Sequence, residues 1–186
     1  MAKPVAARGF ARERVLEAAL ELFAQHGVRG TSIQMIAARL GVTKASVYYQ
    51  FSSKDDIALA VAQPLFDDIA HIRRIADMLP SAQARRDIAF SGLIDLVIRH
   101  RAVAHVFYGD PVIHELLDTH ADLREAVDAF TNLLLGPQTD DTELVAMTLL
   151  IAGVYGCAAD SRLGALSENE LRDKLQEVVK KFTAAL

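Results

Sequence analysis

Between Arg12 and His26 the apolar residues Val15, Ala18, Ala19, Leu22 and Phe23 recur at three- and four-residue spacing, with Arg12, Glu13, Glu17, Glu21 and Gln25 opposite. That pattern predicts one amphipathic helix, stopped by Gly27. Thr31 to Gln34, "TSIQ", fits a capping box in which the threonine hydroxyl takes an N–H of the first turn and Gln34 reaches back. A short helix over 33–40 follows, with Ile36, Ala37 and Leu40 inward and Gly41 at its end. Thr43 can cap a third helix from Lys44 to about Gln50, with Val47 inward and Val42 and Phe51 closing the small core at either end. Ser53 with Asp56 starts a fourth helix, whose apolar positions Leu59, Val61, Leu65, Ile69, Ile72, Ile75 and Leu79 run to Pro80. Pro64 is expected to interrupt it, which places a joint between two modules near residues 62 to 64.

Beyond Pro80 the periodicity predicts helices over 82–100, 102–108, 111–119, 122–135, 141–160 and 168–185. Asp110-Pro111 and Ser167 with Glu170 are start signals, and Gly136-Pro137 is a stop. No β-alternating run, repeat or low-complexity segment is present, so the expected fold is all-α, with domains over 1–62 and 63–186.

A chain of 186 residues with 52% hydrophobic content can bury one or two cores. Its longest apolar run, Leu144 to Ala159, stops short of the roughly 20 residues of a membrane span. No signal-peptide pattern stands at Met1, and the expectation is a soluble cytoplasmic protein. Cys157 is the sole cysteine and reads as a small buried apolar residue.

The net charge of −4 hides an asymmetry. Residues 1 to 54 carry eight basic side chains (Lys3, Arg8, Arg12, Arg14, Arg29, Arg39, Lys44, Lys54) against three acids (Glu13, Glu17, Glu21), whereas the remainder is strongly acidic. This points to a polyanion partner for the front end alone; the competing reading is incidental patterning of solvated helix faces.

Ile33 to Phe51 matches a helix-turn-helix, over about 32–51: Ala37 is small at the helix crossing, Gly41 serves a turn needing φ > 0, and Val42 and Val47 fill the angle. Such a motif lays its second helix in the major groove. With Val47 inward, Lys44, Ala45, Ser46, Tyr48, Tyr49 and Gln50 cover the other faces. Hydroxyls and an amine suit phosphate oxygens, a tyrosine can hold a phosphate or pack on a thymine methyl, and Ala45 permits close approach. Tyrosines in a core or interface are the alternative, although neighbours on a helix cannot both face one core.

The stretch "RERVLEAALELFAQHGVRGTSIQMIAARLGVTKASVYYQFSSKDDIALAV", Arg12 to Val61, resembles the DNA-binding domain of TetR-type (tetracycline-repressor-like) transcriptional regulators through its "AALELF" helix, "TS", "IA", "GV" turn, "YYxF" and "SK". The resemblance implies an N-terminal three-helix helix-turn-helix domain and a C-terminal helical ligand-binding and dimerisation domain. It further implies a DNA-binding set of Thr31, Ser32, Lys44, Ala45, Ser46, Tyr48, Tyr49, Gln50 and Lys54. Within that set Thr31, Ser46, Tyr48 or Tyr49, and Lys54 would hold phosphates, and Lys44, Ala45 and Tyr49 would face bases. Gln50 departs from the His common in the family, which bears on base preference.

For the back end, the resemblance implies a homodimer on a palindromic operator, most often a repressor released by a small-molecule effector. The all-round apolar segment Leu144 to Ala159 and the stripe Leu171, Leu175, Val178, Phe182 and Leu186 supply a candidate interface of Leu144, Met147, Ile151, Tyr155, Leu171, Leu175, Val178 and Phe182. A monomer core helix followed by an amphipathic one is the other reading. Phe90, His105, Phe107, Tyr108, Phe130 and Tyr155 are candidates for a mostly apolar ligand pocket, or else ordinary core aromatics. His100, His105, His114 and His120 lack the i, i+4 spacing of a helical metal pair, and no metal or cofactor is expected. No phosphate loop, nucleophile elbow or zinc signature supports an enzyme. A DNA-binding dimer under architectural or protein control, without a small-molecule ligand, is the rival within the DNA-binding class.

Overall fold

The structure, a computed structural model, describes residues 5–108, 110–136 and 140–184, with the side chains of residues 5–9 and of His105 outside the description. Leu186, expected at the end of the last apolar stripe, and Pro137, expected in a helix stop, also lie outside the described residues. The described elements are helical: α1 Val5–Gly30, α2 Ile33–Leu40, α3 Lys44–Tyr48, α4 Lys54–Asp77, α5 Ala82–Arg99, α6 Arg101–Phe107, α7 Pro111–Thr119, α8 Ala121–Leu135, α9 Asp141–Ala159 and α10 Glu168–Thr183. No strand occurs among the described residues.

Local chemistry sets the boundaries. Gly27, at φ 71°, breaks the regular path of α1. Thr31 and Ser32 then divide the work expected of Thr31 alone. Thr31 is buried and donates its hydroxyl back to the Gly27 carbonyl at 2.9 Å, while Ser32 caps α2 by accepting the Met35 N–H at 3.2 Å. Gly41 closes α2 in the left-handed region (φ 67°, ψ 31°), a conformation that a side chain would strain. Asp110 accepts the Val112 N–H at the start of α7, and Ser167 and Glu170 form a complete capping box on α10.

Pro64 does not interrupt the fourth helix. The 24 residues of α4 are continuous through it, and Pro64 is exposed, where solvent can satisfy the carbonyl its missing N–H leaves.

The chain forms two compact units, residues 1–64 with 106–119 and residues 65–105 with 120–186. The first gathers α1 to α3, the front of α4 and α7 around Phe23, Val28, Ile36, Val47 and Ile57, all essentially inaccessible. The Phe107 ring stands edge-on to Phe23 at 6.2 Å between centroids, and Arg29 pairs with Glu115. Segment 106–119, which the sequence reading assigns to the second domain, therefore packs with the first. Val42, expected with Val47 to fill the angle between α2 and α3, is instead 40% exposed, whereas Val47 is inaccessible.

In the second unit α5 is central, burying seven apolar residues from Ala89 to Ile98 against α8, α9 and α10. Arginines close helix ends here. Arg85 Nε donates to the Leu79 carbonyl (2.8 Å), Arg86 Nε to that of Leu134 (3.1 Å), and Arg101 to that of Ala158. The 19 residues of α9 are long and apolar enough to cross a membrane by length and composition, beyond what the sequence run suggested. One side of α9, with Met147, Leu150, Val154 and Ala158, is buried in its own unit; Leu144, Val145 and Leu149 face outward. Cys157 is half-buried rather than buried.

Candidate nucleic-acid interface

The site is built on α3, a five-residue helix too short to persist alone and therefore held at both ends. Thr43 Oγ1 accepts the Ser46 N–H at 3.2 Å and lies 2.9 Å from Ser46 Oγ. At the far end the N–H groups of Gln50 and Phe51 both reach the Val47 carbonyl, at 2.9 and 3.1 Å. Val47 is inaccessible and pins the helix to the core.

That anchoring turns a continuous polar and aromatic face outward. Lys44, Ala45, Ser46, Tyr48 and Tyr49 are exposed, Tyr49 at 69%, and Gln50 is half-exposed. Lys44 Nζ lies over the Tyr48 ring at 5.5 Å, and the guanidinium of Arg12 lies over the Phe51 ring at 4.7 Å. Ser32 is exposed at the start of α2.

Two of the expected phosphate contacts are placed differently. Thr31 is turned inward and donates its hydroxyl to the Gly27 carbonyl. Lys54 donates to the carbonyls of Val28 (2.7 Å) and Arg29 (3.2 Å), closing the end of α1. This fastening joins residues 26 apart in the chain, and no spacing rule announces it. The positive front end thus separates into two groups. Arg29 and Arg39 pair with Glu115 and Glu21, and Lys54 serves the backbone, whereas no carboxylate among the described residues pairs with Arg12, Arg14 or Lys44.

The ligand candidates are spread over both units. Phe90 lines a cleft of about 670 Å³ between α5 and α10 with Ile94, Val179, Asp87, Gln176 and Lys180. Phe107 belongs to the first unit, Tyr108 is exposed, Phe130 is buried on α8, Tyr155 is half-buried on α9, and the side chain of His105 lies outside the described residues. His100 Nε2 donates to Asp68 Oδ2 at 2.8 Å, and Arg99 donates to the same oxygen at 3.0 Å. The His100 contact first, and the Arg99 charge with it, hold the Asp68 carboxyl below its ordinary range. No three His, Cys, Asp or Glu side chains among the described residues gather as a metal site. Of the dimer candidates, Leu144 and Val178 are exposed, Ile151, Tyr155 and Phe182 are half-buried, and Met147, Leu171 and Leu175 are buried within the chain itself. Val145 and Leu149, outside that set, are among the exposed apolar residues of α9.

Residues 15–61 match the family model described as bacterial regulatory proteins, tetR family. An HTH-type transcriptional regulator of Staphylococcus aureus (strain USA300) is 28% identical over 127 residues, covering 63% of this chain and 69% of the relative. Among solved structures, the fold is similar to the ketosteroid transcriptional regulator of Mycobacterium tuberculosis (TM-score 0.67, 20% identity, 94% of this chain and 93% of that one). It is also similar to a TetR-like transcriptional regulator from Rhodococcus sp. RHA1 (TM-score 0.65, 22% identity, 100% of both chains). With an anchored, outward-facing α3 inside the matched segment, residues 15–61 are similar to the DNA-binding domain of tetR-family regulators, and the helical fold as a whole is similar to that of TetR-like regulators.

Proposed function

We propose that the protein is a homodimeric repressor of the cytoplasm that binds a palindromic operator and is released by a small-molecule effector held in the second unit. The observation that carries this reading is the outer face of α3. Lys44, Ala45, Ser46, Tyr48 and Tyr49 stand exposed on a helix that Val47 fixes in place, a surface suited to phosphates and base edges. Phosphate contacts come from Ser32, Ser46 and Tyr48, and base contacts from Lys44, Ala45 and Tyr49, with Gln50 able to pair with adenine or phosphate.

The outward apolar face of α9, joined by Val178 of α10, supports dimerisation, because an uncovered apolar patch of that kind marks an association surface. A dimer places two α3 helices about one turn of DNA apart or a multiple of it, so each reads half of a palindrome. The α5/α10 cleft is within the size range of small-molecule sites. Control follows as a population shift: an effector that fits a second arrangement of the sensor unit moves α4, which carries residues of both units, and spoils the spacing of the reading heads.

The test is binding to a duplex selected by the protein from a randomised library, scanned over salt and competed with unrelated duplex. A protected palindrome, lost in Tyr49→Ala and released by metabolite fractions, is the expected result. Binding indifferent to sequence refutes the operator reading, and specific binding indifferent to metabolites refutes effector control.

A further inference from the structure

We infer that Arg12, which lies ahead of the helix-turn-helix and of the segment matched to the family, is a DNA-phosphate clamp at the closing end of α3. The inference rests on the operator-binding reading above. Its ground is the pairing of Arg12 with Phe51. The guanidinium sits over the Phe51 ring at 4.7 Å, and Phe51 is the residue whose N–H closes α3 on the Val47 carbonyl.

A ring contact engages the charge of a guanidinium but none of its five N–H donors. Arg12 is exposed, and no carboxylate among the described residues pairs with it, so those donors stay open to an anion. Holding the side chain against Phe51 also removes part of the conformational entropy that a free surface arginine loses on binding. Arg14 is likewise unpaired, yet two positions along a helix is a rotation to the opposite side, and no ring holds it.

The arrangement has a counterpart. Lys44, at the first position of α3, lies over the Tyr48 ring and is also without an acidic partner. Two ring-held cations therefore bracket the recognition helix, one at its start and one at its close. An α-helix in the major groove has a phosphate strand on either side, and an arginine takes a phosphate through paired N–H donors. The neighbouring cations Arg29 and Arg39 are neutralised by Glu115 and Glu21, so this bracket is not a general basic surface.

The experiment measures the affinity of the full chain for its selected duplex, and for an unrelated duplex of the same length, across a salt series. Arg12→Gln should weaken both by the same factor and make the slope of log affinity against log salt shallower by about 1 for each subunit bound. Arg12→Lys should restore most of the slope. Circular dichroism of each variant shows that the helices remain formed. An unchanged slope in Arg12→Gln, while Tyr49→Ala still abolishes specific binding, overturns the clamp and leaves the operator reading intact. Absence of specific binding by the unaltered chain overturns the operator reading itself.

Discussion

Nζ of Lys54, the first residue of α4, lies 2.7 Å from the carbonyl oxygen of Val28 and 3.2 Å from that of Arg29. The end of one helix is thereby closed by the start of another, and two of the three ammonium donors are used within the protein. Lys54→Met keeps the aliphatic stem and removes the donors. Its expected cost is about 1–2 kcal/mol, the range for a charged donor that is only half-buried. Urea unfolding followed by far-UV circular dichroism measures it. A lysine acting on phosphate alone would leave the unfolding midpoint where it is and change DNA affinity only.

Gly92 makes a second contact that a side chain would not allow. A Cβ there would stand 2.7 Å from Cδ1 of Ile72 and 2.8 Å from its Cγ1, so the absence of a side chain on α5 lets the apolar flank of α4 approach. Gly92→Ala gains helix propensity but overpacks this crossing, with an expected net loss of about 1–2 kcal/mol. Ile72→Ala alone opens a cavity and costs about 2–4 kcal/mol. The double variant should lose clearly less than the two together, and a double-mutant cycle from denaturant titrations reads that coupling.

Asp68 links stability to acid. Its carboxyl is held below the ordinary value of 3.8 by the His100 hydrogen bond and, next among the favourable influences, the Arg99 charge, against an opposing effect of burial. The unfolded chain therefore binds more protons than the folded one between the two pKa values. The stabilisation is fully present above the ordinary value and disappears as pH falls through the lowered folded one. Thermal unfolding of the unaltered chain and of Asp68→Asn should show a constant gap at neutral pH that narrows below about 4. A gap that stays constant into strong acid would show that Asp68 contributes through shape rather than charge.

Much of this molecule is legible in its sequence because helix periodicity and caps are local. The spans of α2, α5, α7 and α10 follow from apolar spacing, with Asp110 and Ser167 at the starts of α7 and α10, where each side-chain oxygen accepts a nearby N–H. The outward face of α3 is legible for the same reason: Val47 points in, and the remaining positions have nowhere else to go. Long-range contacts leave no such trace. Nothing in the spacing of Lys54 and Val28, or of Phe107 and Phe23, distinguishes them from pairs that never meet. Thr31 and Ser32 also resist reading, because adjacent hydroxyls are equally good caps until the backbone at Gly27 decides which one faces back. On α9 the sequence is apolar on every side, so periodicity could not say which residues serve the subunit and which lie outside.

The two sides of α9 give the sharpest separation of roles. Met147 is inaccessible within its subunit, whereas Leu149, two positions on, is 64% exposed and continues the outward patch with Val145. A charge at Leu149 meets only solvent in a single subunit, so Leu149→Glu should change its intrinsic stability by no more than about 0.5 kcal/mol. In an apolar dimer interface the same charge is desolvated without a partner and is severely unfavourable. On the proposed dimeric reading, sedimentation should show the unaltered chain as a dimer and Leu149→Glu as a monomer, and binding to a palindromic duplex should fall because half-sites are then engaged independently. Met147→Ala should do the reverse, costing about 2–5 kcal/mol of subunit stability through the cavity it leaves, with the subunits still associating while they remain folded. If Leu149→Glu stays dimeric, the subunits meet on another surface, and the α9 face is not what holds the two α3 helices in register.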